Sequence, residues 1–421
     1  MIGTRIKELR QEKGMTQQNL ADGIATRGYI SQIEKGKVHP SYEILTKIAE
    51  KLECTVENLL IKPQNNTLMV TEIKRELKKI EQKIEEGKIE KVIKRDQALY
   101  NIDLNHLSNE EKGTLNWIKG KILYEKQNMN EAIHSFQTSI TFLQSTNEYS
   151  RLVRSLDSLG ELLIEINNEK EAFEVLNEGY ELLTLHYVND IIRSSLLINL
   201  GILHGKMGEY YSAIRILEQV RTTNISMNRH YKNSKILISL GICYRRIGKN
   251  DLSEDCYKEA LNFLDLYNEE SYRGTAYFNL GILNTHRNNP EKAIEYYLLA
   301  LNCYIQQNDT PKAIQAKLSL SKAYMIQKEW DIAQKYCMQI LATSTTITEK
   351  ATAYIQLGEI LYRQEKYKDA LSQLKDGLDI VENIQNNPEE INDLYKLIGN
   401  CYYKLNDFEL AANYFYKTTK E

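Results

Sequence analysis

A small residue recurs at nearly even spacing through most of this chain of 421 residues. Successive members lie 37 to 41 residues apart: Gly120, Gly160, Gly201, Gly241, Gly281, Ser321, Gly358 and Gly399. A second small residue follows each of them after 12 positions: Ala132, Ala172, Ala213, Ser253, Ala293, Ala333, Ala370 and Ala411. A fixed period indicates a repeat architecture, and helices approach closely only where their side chains are small. The sequence therefore predicts a series of helical hairpins.

The residue types at these offsets resemble the tetratricopeptide repeat, a helix pair of about 34 residues. The unit around Gly281 shows the pattern best, with Tyr277 on its first helix and Ala293 and Tyr297 on its second. HEAT and armadillo repeats also have periods near 40, but the glycine and alanine offsets favour the tetratricopeptide type. The resemblance covers residues 108–421 in eight units, with a degenerate ninth at 68–100. It implies an all-α fold with a right-handed solenoid of about nine repeats.

Composition narrows the class of protein. The chain is 42% hydrophobic with five prolines, which suits a helical protein. It contains no apolar stretch long enough for a signal peptide or a membrane span, so we expect a cytoplasmic protein without membrane contact. The six cysteines lack CxxC spacing, the seven histidines form no HxxxH pair, and no phosphate loop occurs. We therefore expect no metal, no cofactor and no enzymatic activity.

The first 61 residues predict a separate domain of five short helices. Thr16, Thr26 and Ser41 are suitable N-cap residues for the second, third and fourth helices, and Gly14 and Gly36 end the first and third. Thr55 would cap the fifth helix, which carries Leu59 and Leu60 on its apolar side. Five helices in about 60 residues, with a tight turn between the second and third, are typical of a helix-turn-helix domain.

The segments "RIKELRQEKGMTQQNLA", "YISQIEKGK" and "PSYEILTKIAEKLECTVENLL" resemble the phage-repressor type of this domain. The turn "DGIATRG" is one residue shorter than in the common form of that family. In this fold the third helix enters the major groove and the start of the second helix contacts phosphate. The resemblance implies that the chain binds a double-stranded DNA operator through Gln17, Thr26, Arg27, Gly28, Ser31, Gln32 and Lys35.

Arg27 is the strongest candidate for a base contact, because a guanidinium group can bind two acceptors of guanine. Gln17 and Lys35 would contact the backbone. The alternative is that the domain has lost DNA binding and serves as a protein contact. We favour DNA binding because the exposed positions carry Arg, Gln and Ser rather than acids. Small domains of this type contact a half-site, so we also expect a homodimer or a higher oligomer.

Residues 62–70 predict a linker, and residues 71–421 the repeat domain. The segment "KPQNNT" is polar and contains Pro63. Beyond it, an apolar seam runs along a helix rich in Lys and Glu: Val70, Ile73, Leu77, Ile80 and Ile84. This seam is either a short dimerising coiled coil or a surface that packs against the next helix through Ile89, Val92 and Ile93.

In tetratricopeptide units the first helix of each pair lines the concave face. The family pattern places ligand contacts six and three residues before the glycine and one, four and five after it. Applied here, and with the polar residue two before the glycine added, it predicts a peptide-binding groove formed by Arg154, Asp157, Ile198, Asn199, Ile202, Lys235, Ile238, Ile242, Arg245, Arg246, Phe278, Asn279 and Ile282. The isoleucines and Phe278 suggest an apolar ligand.

The polar groove residues indicate how such a ligand would be oriented. Lys235, Arg245 and Arg246 suit a carboxylate. Asn199 and Asn279 would either bind the backbone of an extended ligand or serve the repeat itself. Asp157, with neighbouring acids, suits a positively charged N-terminus.

The last helix is apolar where a capping helix would be polar. Leu410, Ala411, Tyr414 and Phe415 occur within "DFELAANYFYKTTKE". An uncovered apolar face favours self-association, so we predict a dimer through the last repeats.

The combination of the two domains resembles the peptide-pheromone receptors of Gram-positive bacteria, the Rgg, Rap, NprR, PlcR and PrgX group, and is most similar to the NprR branch. The resemblance implies quorum sensing: a short signalling peptide binds in the repeats and changes the oligomer arrangement and DNA binding. The alternative is a repeat domain that binds and inhibits a response regulator, either alone or as a second role of the same chain.

Overall fold

The computed structural model describes residues 2–56, 59, 66–93, 107–267, 271–384 and 388–418. These residues form helices joined by turns, and no strand occurs among them. The all-α prediction is confirmed. The chain divides into two compact units, Met1–Ile192 and Arg193–Glu421.

The N-terminal domain contains four described helices: α1 (Ile2–Glu12), α2 (Gln17–Ala21), α3 (Arg27–Glu34) and α4 (Tyr42–Lys51). The predicted N-caps are confirmed. The hydroxyl oxygens of Thr16, Thr26 and Ser41 accept hydrogen bonds from the backbone N–H three residues later, at 3.1, 3.2 and 3.4 Å. Gly14 and Gly36 have positive φ angles of 65° and 70°, the left-handed conformation that favours glycine after a helix.

The core of this domain is formed by one cluster of buried apolar residues: Ile6, Leu20, Ala21, Ile30, Ile33, Leu45, Ile48, Ala49, Leu52, Val56 and Leu59. Most of the predicted fifth helix, including Leu60, lies outside the described residues. The shorter turn between the second and third helices has a structural consequence. Helix α2 spans only five residues, because its C-cap is already at Asp22 and Gly23 turns the chain with φ of 78°.

The predicted linker is shorter than expected. Residues 62–65 lie outside the described residues, but 66–70 are helical, because helix α5 begins at Asn66 and ends at Glu85. Its apolar periodicity starts at Leu68, which explains the earlier beginning. Helix α6 (Ile89–Ile93) follows, and α5 also contacts the first helix of the next hairpin. The seam residue Leu77 is 3% exposed, which supports packing within the chain. The end of the predicted ninth repeat, residues 94–100, is not described.

Eight hairpins follow, as the small-residue pattern predicts. In the first unit they are formed by α7 (Asn109–Glu125) with α8 (Met129–Gln144) and α9 (Tyr149–Glu165) with α10 (Glu169–Leu185). The third hairpin, α11 (Asp190–Lys206) with α12 (Tyr210–Ser226), begins at the boundary between the units.

The second unit also contains five complete hairpins. They are α13 (Asn233–Arg246) with α14 (Asn250–Tyr267), α15 (Arg273–His286) with α16 (Pro290–Gln306), α17 (Thr310–Ile326) with α18 (Trp330–Thr343), α19 (Ile347–Arg363) with α20 (Tyr367–Ile384), and α21 (Pro388–Lys404) with α22 (Phe408–Lys417).

The repeat glycines make room for a large side chain that the sequence pattern did not single out. A Cβ atom added to Gly241 would lie 2.4 Å from the ring of Tyr257, and one added to Gly281 would lie 2.5 Å from Tyr297. The same offset of 16 residues places Phe136, Leu176, Leu217, Leu374 and Phe415 against the glycines of the other repeats. The glycine is therefore required by its neighbour in the partner helix.

The sixth repeat tests this rule within the molecule. Its first helix carries Ser321 in place of glycine, and the residue 16 positions later is the small Cys337. The Ser321 hydroxyl lies 3.2 Å from Cys337 Sγ and donates to the carbonyl of Ala333 at 3.1 Å. Both positions have changed together, so the space between the helices is filled differently.

Among the described residues, no helix is long and apolar enough to span a membrane. The same residues contain no cluster of His, Cys, Asp and Glu side chains with the geometry to hold a metal ion.

Candidate DNA-binding and ligand-binding surfaces

Helix α3 presents most of the predicted DNA contacts to solvent. Thr26, Arg27, Gly28, Gln32 and Lys35 are exposed, and only Ser31 is half-buried. Within the described part of the chain, the Arg27 guanidinium has neither an ion pair nor a hydrogen bond, so it is available to a ligand. A Cβ atom on Gly28 would have no contact closer than 4.0 Å, so internal packing does not require glycine there.

Buried polar residues behind this surface hold the helices in place, and the sequence analysis missed them. Arg10 on α1 donates from Nε to Glu34 Oε1 at 2.6 Å and from a terminal nitrogen to the Met15 carbonyl at 2.6 Å. Gln17, at the start of α2, donates to Glu34 Oε2 at 2.7 Å. The predicted phosphate contact Gln17 is therefore half-buried and fixed by Glu34. Charged hydrogen bonds of this kind set the positions of α1, α2 and α3.

The groove residues three positions before the glycines are less accessible than predicted. Ile198 is fully buried, Ile238 is 4% exposed and Phe278 is 8% exposed. They belong to the packing between hairpins, since Ile238 and Phe278 lie in apolar core clusters. The prediction that these side chains form an open groove floor is wrong. Their apolar character comes from the core and does not indicate an apolar ligand.

One position after each glycine, the apolar residues remain partly accessible. Ile202, Ile242 and Ile282 are all half-buried. Ile242 and Ile282 pack at the edges of the two core clusters. These three isoleucines, one from each of three successive first helices, are therefore the apolar surface that a ligand can contact.

The two asparagines serve the repeats, which was the alternative role considered for them. Asn199 is 1% exposed and accepts a hydrogen bond from Lys235 Nζ at 3.1 Å. Asn279 is 6% exposed and donates to the carbonyl of Thr275, one turn earlier on its own helix, at 2.9 Å. Neither amide is presented to an extended ligand in this structure.

Arg245 is the groove cation best placed to bind an anion. It is half-buried, and no described carboxylate forms an ion pair with it. Its Nε atom is buried without a hydrogen-bond partner, as is the hydroxyl of Tyr257. Burial raises the pKa of the Tyr257 phenol, and the positive charge of Arg245 opposes this increase. The neighbouring Arg246 is exposed.

The first unit already satisfies the charges predicted to bind a peptide N-terminus. Arg154 is 7% exposed and stacks on Trp117 with 3.8 Å between the guanidinium carbon and the ring centre. Its terminal nitrogens form ion pairs with Glu81 at 2.7 Å and Glu85 at 2.8 Å, both on α5. Asp157 is also buried. The prediction that Arg154 and Asp157 face an open groove is wrong, because α5 covers this arginine.

The predicted dimer residues are mostly engaged within the last hairpin. Ala411 is 2% exposed, Phe415 packs on Gly399, and Tyr414 stacks on Tyr402 with ring centres 5.6 Å apart. Leu410 remains 38% exposed. Ala411 is therefore wrong as a surface residue. The apolar side chains most exposed at this end are Tyr403, Phe408 and Tyr416.

Known domain families match both parts of the chain. Residues 6–59 match a helix-turn-helix family. Residues 192–265, 232–306 and 312–383 match a tetratricopeptide repeat family. The first match covers helix α3 and its exposed Arg27, and the others cover most hairpins of the second unit.

Among known proteins, the transcriptional activator NprA of Geobacillus stearothermophilus is 21% identical over 337 residues, which are 74% of this chain and 74% of NprA. A Rap protein complexed with competence and sporulation factor matches with a TM-score of 0.55 and 13% identity, over 85% of this chain and 97% of Rap. The apo form of the quorum sensor NprR from B. thuringiensis matches with a TM-score of 0.52 and 11% identity, over 72% of this chain and 96% of NprR.

At these identities the two solved structures support the fold alone. The relationship to NprA extends over both the helix-turn-helix domain and the repeats, since 337 residues cannot be accommodated in either a single hairpin or the N-terminal domain. With its helix-turn-helix head, its tetratricopeptide repeats and this relative, the chain is a transcriptional regulator of the Rgg, Rap, NprR, PlcR and PrgX group.

Proposed function

We propose that the protein is a cytoplasmic quorum-sensing regulator. It binds an operator through α3 and a short signalling peptide through the first helices of its middle repeats. Support for the peptide comes from the fold shared with the sensor NprR and with a Rap protein that was solved with a factor bound. Arg245 carries the proposal, because its charge is unpaired within the described residues and the half-buried Ile242 lies on the same helix.

The peptide would bind with its C-terminal carboxylate at Arg245 and apolar side chains against Ile202, Ile242 and Ile282. An arginine that has no internal carboxylate gains charge-assisted hydrogen bonds when a ligand supplies one. Binding controls transcription only if the peptide prefers one arrangement of the repeats. A shift from almost all inactive to almost all active needs about 5 kcal/mol of differential binding. Burial of several apolar side chains supplies free energy of this order.

The experiment is capture of short randomised peptides with free C-termini by the full-length protein, followed by mass spectrometry. The same pool with amidated C-termini is the comparison. We expect retention from the free-acid pool and its loss in Arg245→Ala and Ile242→Asp. Arg193→Ala, a change at the start of α11 outside the predicted groove, is the control and should retain the peptides. Equal retention by the wild type and Arg245→Ala would contradict this site.

We also propose that the regulator dimerises through its last hairpin, through the exposed side chains of Tyr403, Phe408, Leu410 and Tyr416. A dimer would present two DNA-binding domains to two half-sites. Light scattering tests this with a chain truncated at Asn387 and with Phe408→Asp in the full chain. Both should be monomers, and a dimer in both variants would place the interface elsewhere.

A further inference from the structure

A cavity of about 620 Å³ opens on the first helices of the last three repeats, far along the sequence from the predicted peptide contacts. Small-molecule sites usually have volumes of about 300–1,000 Å³, so the size suits a ligand. The walls come from α17, α19 and α21, and the side chains that matter for recognition are Lys322, Ile355, Gln356, Tyr362, Leu397 and Asn400.

The cavity lies at the same repeat positions as the predicted groove. Relative to Gly358, Ile355 is three residues before the glycine, Glu359 is one after it, and Tyr362 and Arg363 are four and five after it. All four line the cavity. In the middle repeats these positions are partly closed by packing, whereas here they surround open space.

Gln356 gives the cavity an unused hydrogen-bond donor. Its side chain is 2% exposed, and its Nε2 atom is buried without a hydrogen-bond partner among the described residues. Its Oε1 atom faces Cys337 Sγ at 4.0 Å. At the equivalent position of another repeat, the Asn279 amide donates to the Thr275 carbonyl at 2.9 Å. A buried donor without an acceptor destabilises a folded protein, so an acceptor on a ligand would be favoured here.

The charged residues around the cavity leave one cation in excess. Arg363 pairs with Glu359 at 2.7 Å and Lys396 with Asp393 at 3.1 Å, each within its own helix. Lys322 lines the same cavity and has no ion pair in the described part of the chain. The amide of Gln356 and the ammonium group of Lys322 are both donors. Together they match a carboxylate, which accepts several hydrogen bonds and neutralises one cation.

We propose that this cavity is a second ligand site that binds a carboxylate through Gln356 and Lys322, with the rest of the ligand against Ile355, Tyr362 and Leu397. The site does not depend on the peptide groove at Arg245, because the two share no residue. The carboxylate belongs either to a small organic acid or to the C-terminus of a peptide.

The experiment uses the full-length chain carrying Ile242→Asp, which disables the middle groove. The probes are N-acetyl-leucine and acetyl-Ala-Ala-Leu, each as the free acid and as the amide, and binding is measured by calorimetry. We expect at least one acid to bind with an affinity about ten-fold or more above that of its amide, and Gln356→Leu to remove this difference. The acid that binds more tightly identifies the source. Equal binding of acids and amides, or no binding of either acid, overturns the proposal.

A thermal measurement without ligand separates a binding role of Gln356 from a structural one. Gln356→Leu removes the unused donor and keeps a similar side-chain volume, so the melting temperature should stay the same or rise. Asn279→Leu is the matched control and should lower it, because that amide is bonded. A clear fall for Gln356→Leu would show that its amide stabilises the fold, and would overturn its assignment to a ligand.

Discussion

The packing between repeat glycine and partner helix can be tested by moving the sixth repeat's solution into the fourth. Gly241→Ser adds a Cβ atom 2.4 Å from the ring of Tyr257. That ring is fully buried in a cluster with Ala260 and Leu280 and has no space to move into. Overpacking of a well-packed core costs about 1–3 kcal/mol, so this variant should lose unfolding free energy within that range.

The second change, Tyr257→Cys, supplies the small partner found at Cys337. Alone it leaves a cavity beside Gly241, and truncation of a large buried aromatic side chain costs about 3–5 kcal/mol. In the double variant the added serine no longer meets a ring and fills part of that cavity. We therefore expect the double variant to be about 1–3 kcal/mol more stable than the sum of the two single losses, which is typical of residues in contact.

The assay is urea unfolding of the four proteins, followed by circular dichroism and tyrosine fluorescence. Gly28→Ser is the control, because a Cβ atom there meets nothing closer than 4.0 Å, and its stability should change by less than about 0.5 kcal/mol. Additive losses in the double variant would refute the idea that the two positions are matched in size.

The remaining predictions concern the head, the joint and the thiols. Arg27→Ala should weaken binding to the operator by about 1–3 kcal/mol more than binding to random DNA, measured by fluorescence anisotropy; equal losses would make Arg27 a phosphate contact. Arg10→Met leaves Glu34 buried and unpaired, so the isolated loss of stability in urea should be about 3–5 kcal/mol. Burial raises the pKa of Glu81, but Arg154 and Arg151 outweigh burial and the net pKa lies below its ordinary value of 4.5. The stability that Glu81 contributes is therefore present above that value and lost as pH falls through the lowered pKa, and Glu81→Gln should abolish this part of the acid dependence of the melting temperature. Cys54 is half-buried and the other five thiols are buried, so Ellman's reagent should modify Cys54 first and the rest only on unfolding.

The sequence was sufficient for the local structure because each element carries its own signals. Thr16, Thr26 and Ser41 are N-caps by residue type, and the hairpins follow from small residues at a constant offset. Burial within the groove was not predictable in the same way. Ile198 and Phe278 have the repeat position of groove residues, but adjacent hairpins close over them, and their spacing in sequence contains no information about that closure.

Contacts between distant positions were also beyond the sequence. Arg154 meets Glu81 and Glu85 across about 70 residues, and neither glutamate differs by type from the other acids on α5. The residue pattern identified Arg154 correctly as a charged position on a first helix, but the partner came from the chain itself. A cation predicted from sequence to bind a ligand therefore has to be checked against every acidic helix that the fold can bring to it.

That check separates the two kinds of polar residue on the first helices. Arg154, Asn199 and Asn279 are bonded within the chain, so a ligand that approached them would have to replace existing partners. Arg245 Nε and Gln356 Nε2 are buried without partners in the described residues. Since a buried donor without an acceptor costs about 1–3 kcal/mol, each is a place where a bound ligand would stabilise the protein by more than its own contacts. In a regulator that must respond to a small molecule, these are the positions at which the free and bound states differ most in energy.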